Sequence, residues 1–362
     1  MSHSTLTTLM VILAAFTQYA LTQGPPDSLT EKFAGLDFLN TGVGGGLNDI
    51  PGTSYTMTQR DWGMLPWPCY NTAFIEGYCD PHDIEVWDVT YNDCSEPKVF
   101  CRCNSSPMSM DTLATALGQI PIAARQWIDT ISSYPAVGQC SAWNGADHLN
   151  VFGDCSNYMS VWFHEVAHSL DYWVTDTSDG YYSTDELAEW SAIVLNGTCV
   201  PDNYSKASWA ESWAQVAVMS AWHANVGNIW DFGIGCMHAQ MDKSIEQLGS
   251  IWQGIENATC ERWWESDDWE LVCMGDDARN AGFCDGEDVQ GSSSRSGYGG
   301  DIGHGRQGVG KGGSGLKERP DVNPKVEKKR KEEELARKIR AEEQAGLKGG
   351  KTRARVRRGE KL

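Results

Sequence analysis

Apolar residues recur at helical spacing in several stretches of the chain. Between Met110 and Ile131 they predict one or two helices, with an interruption at Pro121. Two further helices are predicted over Asp185–Leu195 and Lys206–Ala224, whereas His148–Phe152 is expected to be loop or strand. The pattern therefore predicts a domain with helices in its second half and short strands upstream.

Another helix is predicted around residue 165. Its apolar positions include Val161, Trp162 and Leu170, and either Ser156 or Asn157 is expected to cap its amino-terminal end. Helices that follow a group of short strands are typical of an α+β fold. We therefore expect an α+β domain in which this helix lies near the centre.

The predicted central helix carries the sequence His164-Glu165-Val166-Ala167-His168. Positions i and i+4 lie on one face of a helix, so both imidazoles can reach one zinc ion. Zinc activates a bound water, and Glu165 is placed to take its proton as general base. This spacing indicates a zinc metallopeptidase.

A catalytic zinc ion normally takes three protein ligands, so a third donor is needed. Asp171 lies about 10 Å along the helix axis from His164, which favours a role in orienting a ligand or anchoring a loop. Glu186 and Glu189 follow on the next predicted helix, and Glu211 lies within an apolar helical segment. Because an unpaired buried carboxylate is costly, Glu211 needs either solvent or a cation.

The spacing of these residues resembles two known groups of proteins. His164–Asp171, followed about forty residues later by Trp209–Trp213, is similar to the gluzincin peptidases of the anthrax lethal factor type. It is also similar to fungal secreted proteins related to conidiation-specific protein 13. The resemblance, which covers residues 161–218, implies a zincin-like fold, Glu211 as the third zinc ligand and Tyr204 as the residue that stabilises the oxyanion.

The two ends of the chain differ in composition from its body. An apolar run over Leu6–Ala15 precedes small residues at Ala20 and Thr22, so residues 1–22 are interpreted as a secretory signal. No stretch is long and apolar enough to predict a membrane span. Residues 23–287 are expected to form the catalytic domain, and residues 288–362 a Gly-rich linker followed by a charged tail.

Twelve cysteines lie between Cys69 and Cys284, an even number in a chain that is expected to be exported. Disulfide bonds are the expected state in an oxidising compartment. Four Asn-x-Ser/Thr sequences are compatible with glycosylation of a secreted protein, at Asn104, Asn196, Asn203 and Asn257. These features together predict an extracellular, disulfide-rich glycoprotein.

Charge is distributed unevenly along the sequence. The residues before Asp288 include 38 acidic and 9 basic side chains, whereas 20 of the 29 Lys and Arg residues lie from Arg295 onward. An acidic body argues against nucleic-acid binding, because phosphate recognition depends on basic surface. The basic tail is interpreted either as a solvated, partly helical segment or as an arm that binds a cell wall or another anionic polymer.

Two functional hypotheses remain open at this point. In the first, the protein is a secreted zinc metalloendopeptidase that hydrolyses a protein or peptide substrate. In the second, it is a non-catalytic, effector-like binding protein on a zincin scaffold. A variant of the first hypothesis replaces Glu211 with Asp171 or Asp185 as a ligand, which changes the site but not the reaction class.

Overall fold

The computed structural model describes residues 24–42, 44–136, 140–145, 147–175, 181–185, 187–254, 258, 260 and 271–273. The predicted signal segment and the predicted linker and tail lie outside these residues. The described part is a mixed α+β structure, as the sequence predicts. None of its helices has the length and apolar character that crossing a bilayer requires.

Six strands form a mixed sheet in the order β2-β4-β5-β6-β8-β7. The β5–β6 and β6–β8 pairs are parallel and the other three are antiparallel. The six strands are β2 (Tyr55–Gln59), β4 (Ile84–Tyr91), β5 (Lys98–Cys103), β6 (Thr130–Tyr134), β7 (Cys140–Gly145) and β8 (His148–Gly153). The segment that was expected to be loop or strand over residues 148–152 is therefore strand β8.

Four short strands form two separate pairs. They are β1 (Thr30–Glu31), β3 (Met64–Pro66), β9 (Cys199–Val200) and β10 (Leu271–Cys273). Strands β3 and β10 are antiparallel, whereas β1 is parallel to β9. The β1–β9 pair attaches the amino-terminal segment to the chain just before residue 204.

The α-helices occur mainly after the first strands of the sheet. They are α1 (Trp67–Tyr70), α2 (Met110–Gly118), α3 (Ile122–Arg125), α4 (Met159–Trp173), α5 (Tyr182–Asp185), α6 (Leu187–Leu195), α7 (Trp209–Asn225) and α8 (His238–Trp252). Helices α2 and α3 confirm the prediction of a helical region interrupted at Pro121, but this region ends at Arg125, and Ile131 lies in strand β6. Helix α7 begins three residues later than predicted, because a 3₁₀ turn at Tyr204–Lys206 precedes it.

Apolar side chains pack on both faces of the sheet. On one face, Leu149 and Val151 of β8 join the cluster that contains the buried faces of α4, α7 and α8. On the other face, Phe152 joins a smaller cluster with Tyr70 of α1. Successive side chains of a strand point to opposite faces, so strand β8 is buried on both sides.

Disulfide bonds confirm the expectation drawn from the cysteine count. Among the described residues, five bonds are formed, and they join Cys69–Cys101, Cys79–Cys103, Cys94–Cys260, Cys140–Cys155 and Cys199–Cys236. The first two bonds attach the segment around α1 to strand β5. Because these sulfurs are oxidised, the closely spaced Cys101 and Cys103 do not form a thiolate metal site.

The amino-terminal end of α4 is capped by distant residues. The predicted local caps, Ser156 and Asn157, are wrong, since the helix begins after Tyr158 without a local side-chain cap. Instead, the backbone amide of Met159 donates to Asn48 Oδ1 at 3.1 Å, and that of Ser160 donates to Asn40 Oδ1 at 2.6 Å. These bonds satisfy amides that have no partner within the helix.

His148 on strand β8 is a buried histidine outside the central helix. It is 7% exposed, and its Nε2 lies 2.8 Å from Ser132 Oγ on β6. Burial disfavours the charged imidazolium and lowers the pKa of His148 to about 3. The folded protein therefore holds this side chain in its neutral form at pH values where the unfolded chain binds a proton.

We expect the burial of His148 to destabilise the protein at pH values below the ordinary histidine pKa of 6.5 and above the lowered pKa of about 3 in the folded state. In this window the unfolded state binds one more proton, so the free energy of unfolding falls by up to about 1.4 kcal/mol per pH unit. Urea unfolding between pH 7 and pH 5 measures this slope, and His148→Gln should make it shallower. An equal slope in the variant would contradict the proposed cost of burying the imidazolium.

Candidate metal centre

Helix α4 places three ionisable side chains in the protein interior. His164 is 0% exposed, and Glu165 and His168 are each 1% exposed. The two imidazoles lie one helical turn apart, with ring centroids at 4.8 Å and Nε2 atoms at 3.1 Å from each other. The i, i+4 spacing thus directs both Nε2 atoms to the same point.

Helix α7 brings Glu211 to that point. Ser208 precedes the helix in an extended conformation, and its hydroxyl accepts a hydrogen bond from the Glu211 amide at 3.1 Å, so Glu211 lies in the first turn. Its Oε2 atom is 2.8 Å from His164 Nε2 and 3.5 Å from His168 Nε2. The ligand atoms of these three residues all lie within 4.8 Å of one another.

Several buried oxygens at this cluster have no hydrogen-bond partner among the described residues. They are both carboxylate oxygens of Glu165 and Oε1 of Glu211. An unsatisfied buried carboxylate is strongly unfavourable, so these atoms fit a site that binds a cation and water. Two imidazole nitrogens and one carboxylate oxygen are also the donor set of catalytic zinc sites with an open fourth position. The cluster therefore fits a zinc ion.

The buried groups of the cluster shift one another's pKa values. Burial raises the pKa of Glu165 to about 8, although the charge of His164 opposes the shift. Burial acts to raise the pKa of Glu211, but His168 and His164 outweigh it and hold that pKa below its usual range. Burial also acts to lower the pKa of His164, but a hydrogen bond to Glu211 and the charge of Glu211 outweigh burial and raise this pKa. Burial lowers the pKa of His168. Of the two glutamates, Glu211 therefore has the lower pKa.

Tyr204 lies beside the cluster, in the 3₁₀ turn that precedes α7. Its ring centroid is 5.6 Å from that of His164. Burial raises the pKa of Tyr204 well above its usual value, and the charges of Glu211 and Glu165 and a hydrogen bond to Glu211 raise it further. The phenol is therefore protonated and can donate a hydrogen bond.

Two residues outside the predicted site support His164. Gln215 Oε1 lies 3.1 Å from His164 Nδ1, and Gln215 Nε2 donates to Asp202 Oδ2 at 2.7 Å. Asp202 Oδ1 accepts hydrogen bonds at 3.0 Å from the backbone amide and the hydroxyl of Ser205. One pattern in the sequence could have indicated Gln215: this residue follows Glu211 by four positions and therefore lies on the same face of the helix.

The other candidate ligands lie apart from the cluster. Asp171 accepts hydrogen bonds from the amide of Ser183 at 3.0 Å and from its hydroxyl at 2.5 Å, so it anchors α5 to α4. Glu189 is exposed and forms an ion pair with Lys243 at 3.0 Å. Glu186 lies outside the described residues. Within the described part of the chain, Glu211 is the carboxylate that joins the two histidines.

Three of the four predicted glycosylation sequences lie on the surface. The side chains of Asn104, Asn196 and Asn203 are exposed, and Asn257 lies outside the described residues. Asn203 directly precedes Tyr204, so a glycan at this residue would stand next to the turn that borders the cluster.

We expect Glu211→Ala to lower the zinc affinity by more than about 100-fold. Removal of a residue that only orients a ligand typically lowers metal affinity by about 10–100-fold. The expected loss is larger here because the variant lacks one of three donor groups. Competition with a chromogenic zinc chelator measures the affinity. Glu189→Ala is the matched control, because it removes an equally charged but exposed glutamate; equal loss in both variants would contradict the role of Glu211.

Comparison with known proteins gives the family of the chain. A sequence model described as conidiation-specific protein Con-13 matches residues 31–302. The conidiation-specific protein 13 of Neurospora crassa is 43% identical over 275 residues, which is 76% of this chain and 79% of the relative. No solved structure matches the chain. The resemblance to these fungal proteins that the motif residues indicated is thus confirmed, and the chain belongs to the conidiation-specific protein 13 family.

Proposed function

We propose that this protein is a secreted zinc metalloendopeptidase with a zincin-like catalytic domain of the gluzincin type. The observation that carries the proposal is the convergence of His164, His168 and Glu211, whose ligand atoms lie within 4.8 Å of one another in the interior. The third ligand comes from a separate helix, about forty residues after the paired histidines, as in the peptidases of the anthrax lethal factor type that the sequence resembles.

His164, His168 and Glu211 would hold the metal. When bound, zinc polarises the scissile carbonyl and makes water a stronger acid. Glu165 follows His164 directly and has two buried oxygens without partners among the described residues, so its carboxylate is available to the attacking water. We assign Glu165 as the general base that takes the proton of this water and then delivers it to the leaving amine.

Tyr204 would stabilise the charge that develops on the carbonyl oxygen. Its phenol is held in the protonated form beside the carboxylates of Glu211 and Glu165, and its ring lies next to that of His164. A hydrogen bond donated to the developing oxyanion acts mainly in the transition state. Tyr204 is therefore expected to affect turnover more than substrate binding.

Secretion is the location that the chain supports best. The predicted signal segment over residues 1–22, the five disulfides and the exposed sequons all suit an extracellular protein. The substrate would be a protein or a peptide, and the acidic body disfavours nucleic acid. Contact of the basic tail with a cell wall or another anionic polymer remains a prediction from the sequence.

Replacement of Glu165 with Gln tests the reaction. We expect hydrolysis of a peptide library to fall by about 10²–10⁴-fold, the usual contribution of a general acid–base residue, while the zinc content stays at one equivalent. Mass spectrometry of the library and metal analysis of the same preparation measure the two quantities. Glu189→Gln serves as the control. Full peptidase activity in Glu165→Gln would exclude the proposed base, and a zinc-free wild-type protein would favour a binding protein on a zincin scaffold.

Tyr204→Phe tests the proposed oxyanion contact. This substitution removes only the phenol hydroxyl, so the packing of the ring against His164 is retained. We expect kcat to fall by about 10²–10³-fold, with little change in KM, as when other oxyanion donors are removed. Steady-state kinetics on a single fluorogenic peptide separates the two constants. A change confined to KM would assign Tyr204 to substrate binding.

A further inference from the structure

We propose that Asp202, acting through the side-chain amide of Gln215, determines which ring nitrogen of His164 carries the proton and so leaves Nε2 free to bind the metal. Asp202 is in this sense a positioning residue that touches neither metal nor substrate. The inference rests on the proposed zinc site and extends it to the residues that prepare a ligand for binding.

Asp202 fixes the orientation of the Gln215 amide. It is 3% exposed, and its Oδ1 is already used by the amide and the hydroxyl of Ser205. Its Oδ2 lies 2.7 Å from Gln215 Nε2. An ionised carboxylate can only accept hydrogen bonds, so it must face the NH₂ group of the glutamine and not its oxygen.

The oriented amide in turn fixes the proton of His164. With its NH₂ group held by Asp202, Gln215 presents Oε1 to His164 Nδ1 at 3.1 Å. This oxygen can only accept a hydrogen bond, so Nδ1 must carry a proton and donate the bond. In a neutral imidazole the proton then is absent from Nε2, which is the nitrogen that faces Glu211 and His168.

The same carboxylate also shapes the turn that carries Tyr204. Asp202 and Ser205 are joined in both directions, since the Asp202 amide donates to Ser205 Oγ at 3.3 Å. Tyr204 lies within this closed turn. Asp202 therefore affects both the tautomer of His164 and the position of Tyr204, the proposed oxyanion donor. The side chain of Gln215 lies between Asp202 and the metal ligand.

Replacement of Asp202 with Asn reverses the chain of hydrogen bonds. The fixed backbone amide of Ser205 requires an acceptor, so the introduced asparagine must turn its oxygen towards Ser205 and its NH₂ group towards Gln215. The Gln215 amide then has to rotate and point its own NH₂ group at His164 Nδ1, which forces the proton onto Nε2. We expect the zinc affinity of D202N to fall by about 10–100-fold in chelator competition.

Two further variants separate this mechanism from loss of charge or of packing. D202A loses the same charge but introduces no donor that would rotate the amide, so we expect it to bind zinc more tightly than D202N. In the double variant D202N/Q215E, the introduced carboxylate accepts both from the introduced asparagine and from His164 Nδ1, so we expect affinity within a few-fold of the wild type. Circular dichroism and thermal unfolding establish that each variant is folded.

The outcomes distinguish the inference from the proposed function. Wild-type protein that does not bind zinc would overturn both. Zinc binding by the wild type with no loss in D202N would overturn the role of Asp202 alone. So would a double variant that binds zinc no better than D202N, because a purely structural role predicts no recovery. If D202A does not fold, the comparison of D202N with the double variant still decides.

Discussion

The contact between Glu211 and the paired imidazoles is the interaction on which the arrangement of α4 and α7 depends. It joins three side chains that are at most 1% exposed. Burying such groups is costly unless each one is paired, and breaking one pair leaves an uncompensated charge in the interior. The two helices must therefore remain in register for the cluster to be tolerated at all. Apolar packing around Trp213 and Phe163 provides the rigid surroundings that hold this register.

The rest of the fold limits how far these helices can move. The Cys199–Cys236 bond and the β1–β9 pair hold the chain that leads into α7. Asp171 fixes α5 to the last turns of α4 through Ser183. Asp202 then connects the incoming chain to Gln215 on α7 itself. Together these contacts determine the distance and direction between the side chains of His164 and Glu211, which lie nearly fifty residues apart in sequence.

Much of this site could be predicted because its signals are local. The two histidines are separated by one helical turn, so their spacing alone indicates a common point. Glu211 stands out as a polar residue in an apolar segment, but it was preferred over the other carboxylates only through the resemblance to the gluzincin peptidases. Asn40, Asn48 and Asp202 gave no such signal. An asparagine in a loop or an aspartate in a turn has many ordinary explanations, and its partner becomes evident only when the chain has folded. The fold class was equally readable, whereas strand order was not, since it depends on pairings between distant segments.

The helix that carries the two histidines depends on Asn40 and Asn48, which cap its first turn. The two asparagines precede the residues that they cap by 120 and 111 positions. A fragment that starts at β2 would contain every residue of the cluster, yet its central helix would begin with unsatisfied amides. The candidate centre is therefore not a transplantable module: the histidines belong to a helix whose first turn is completed by the opposite end of the domain.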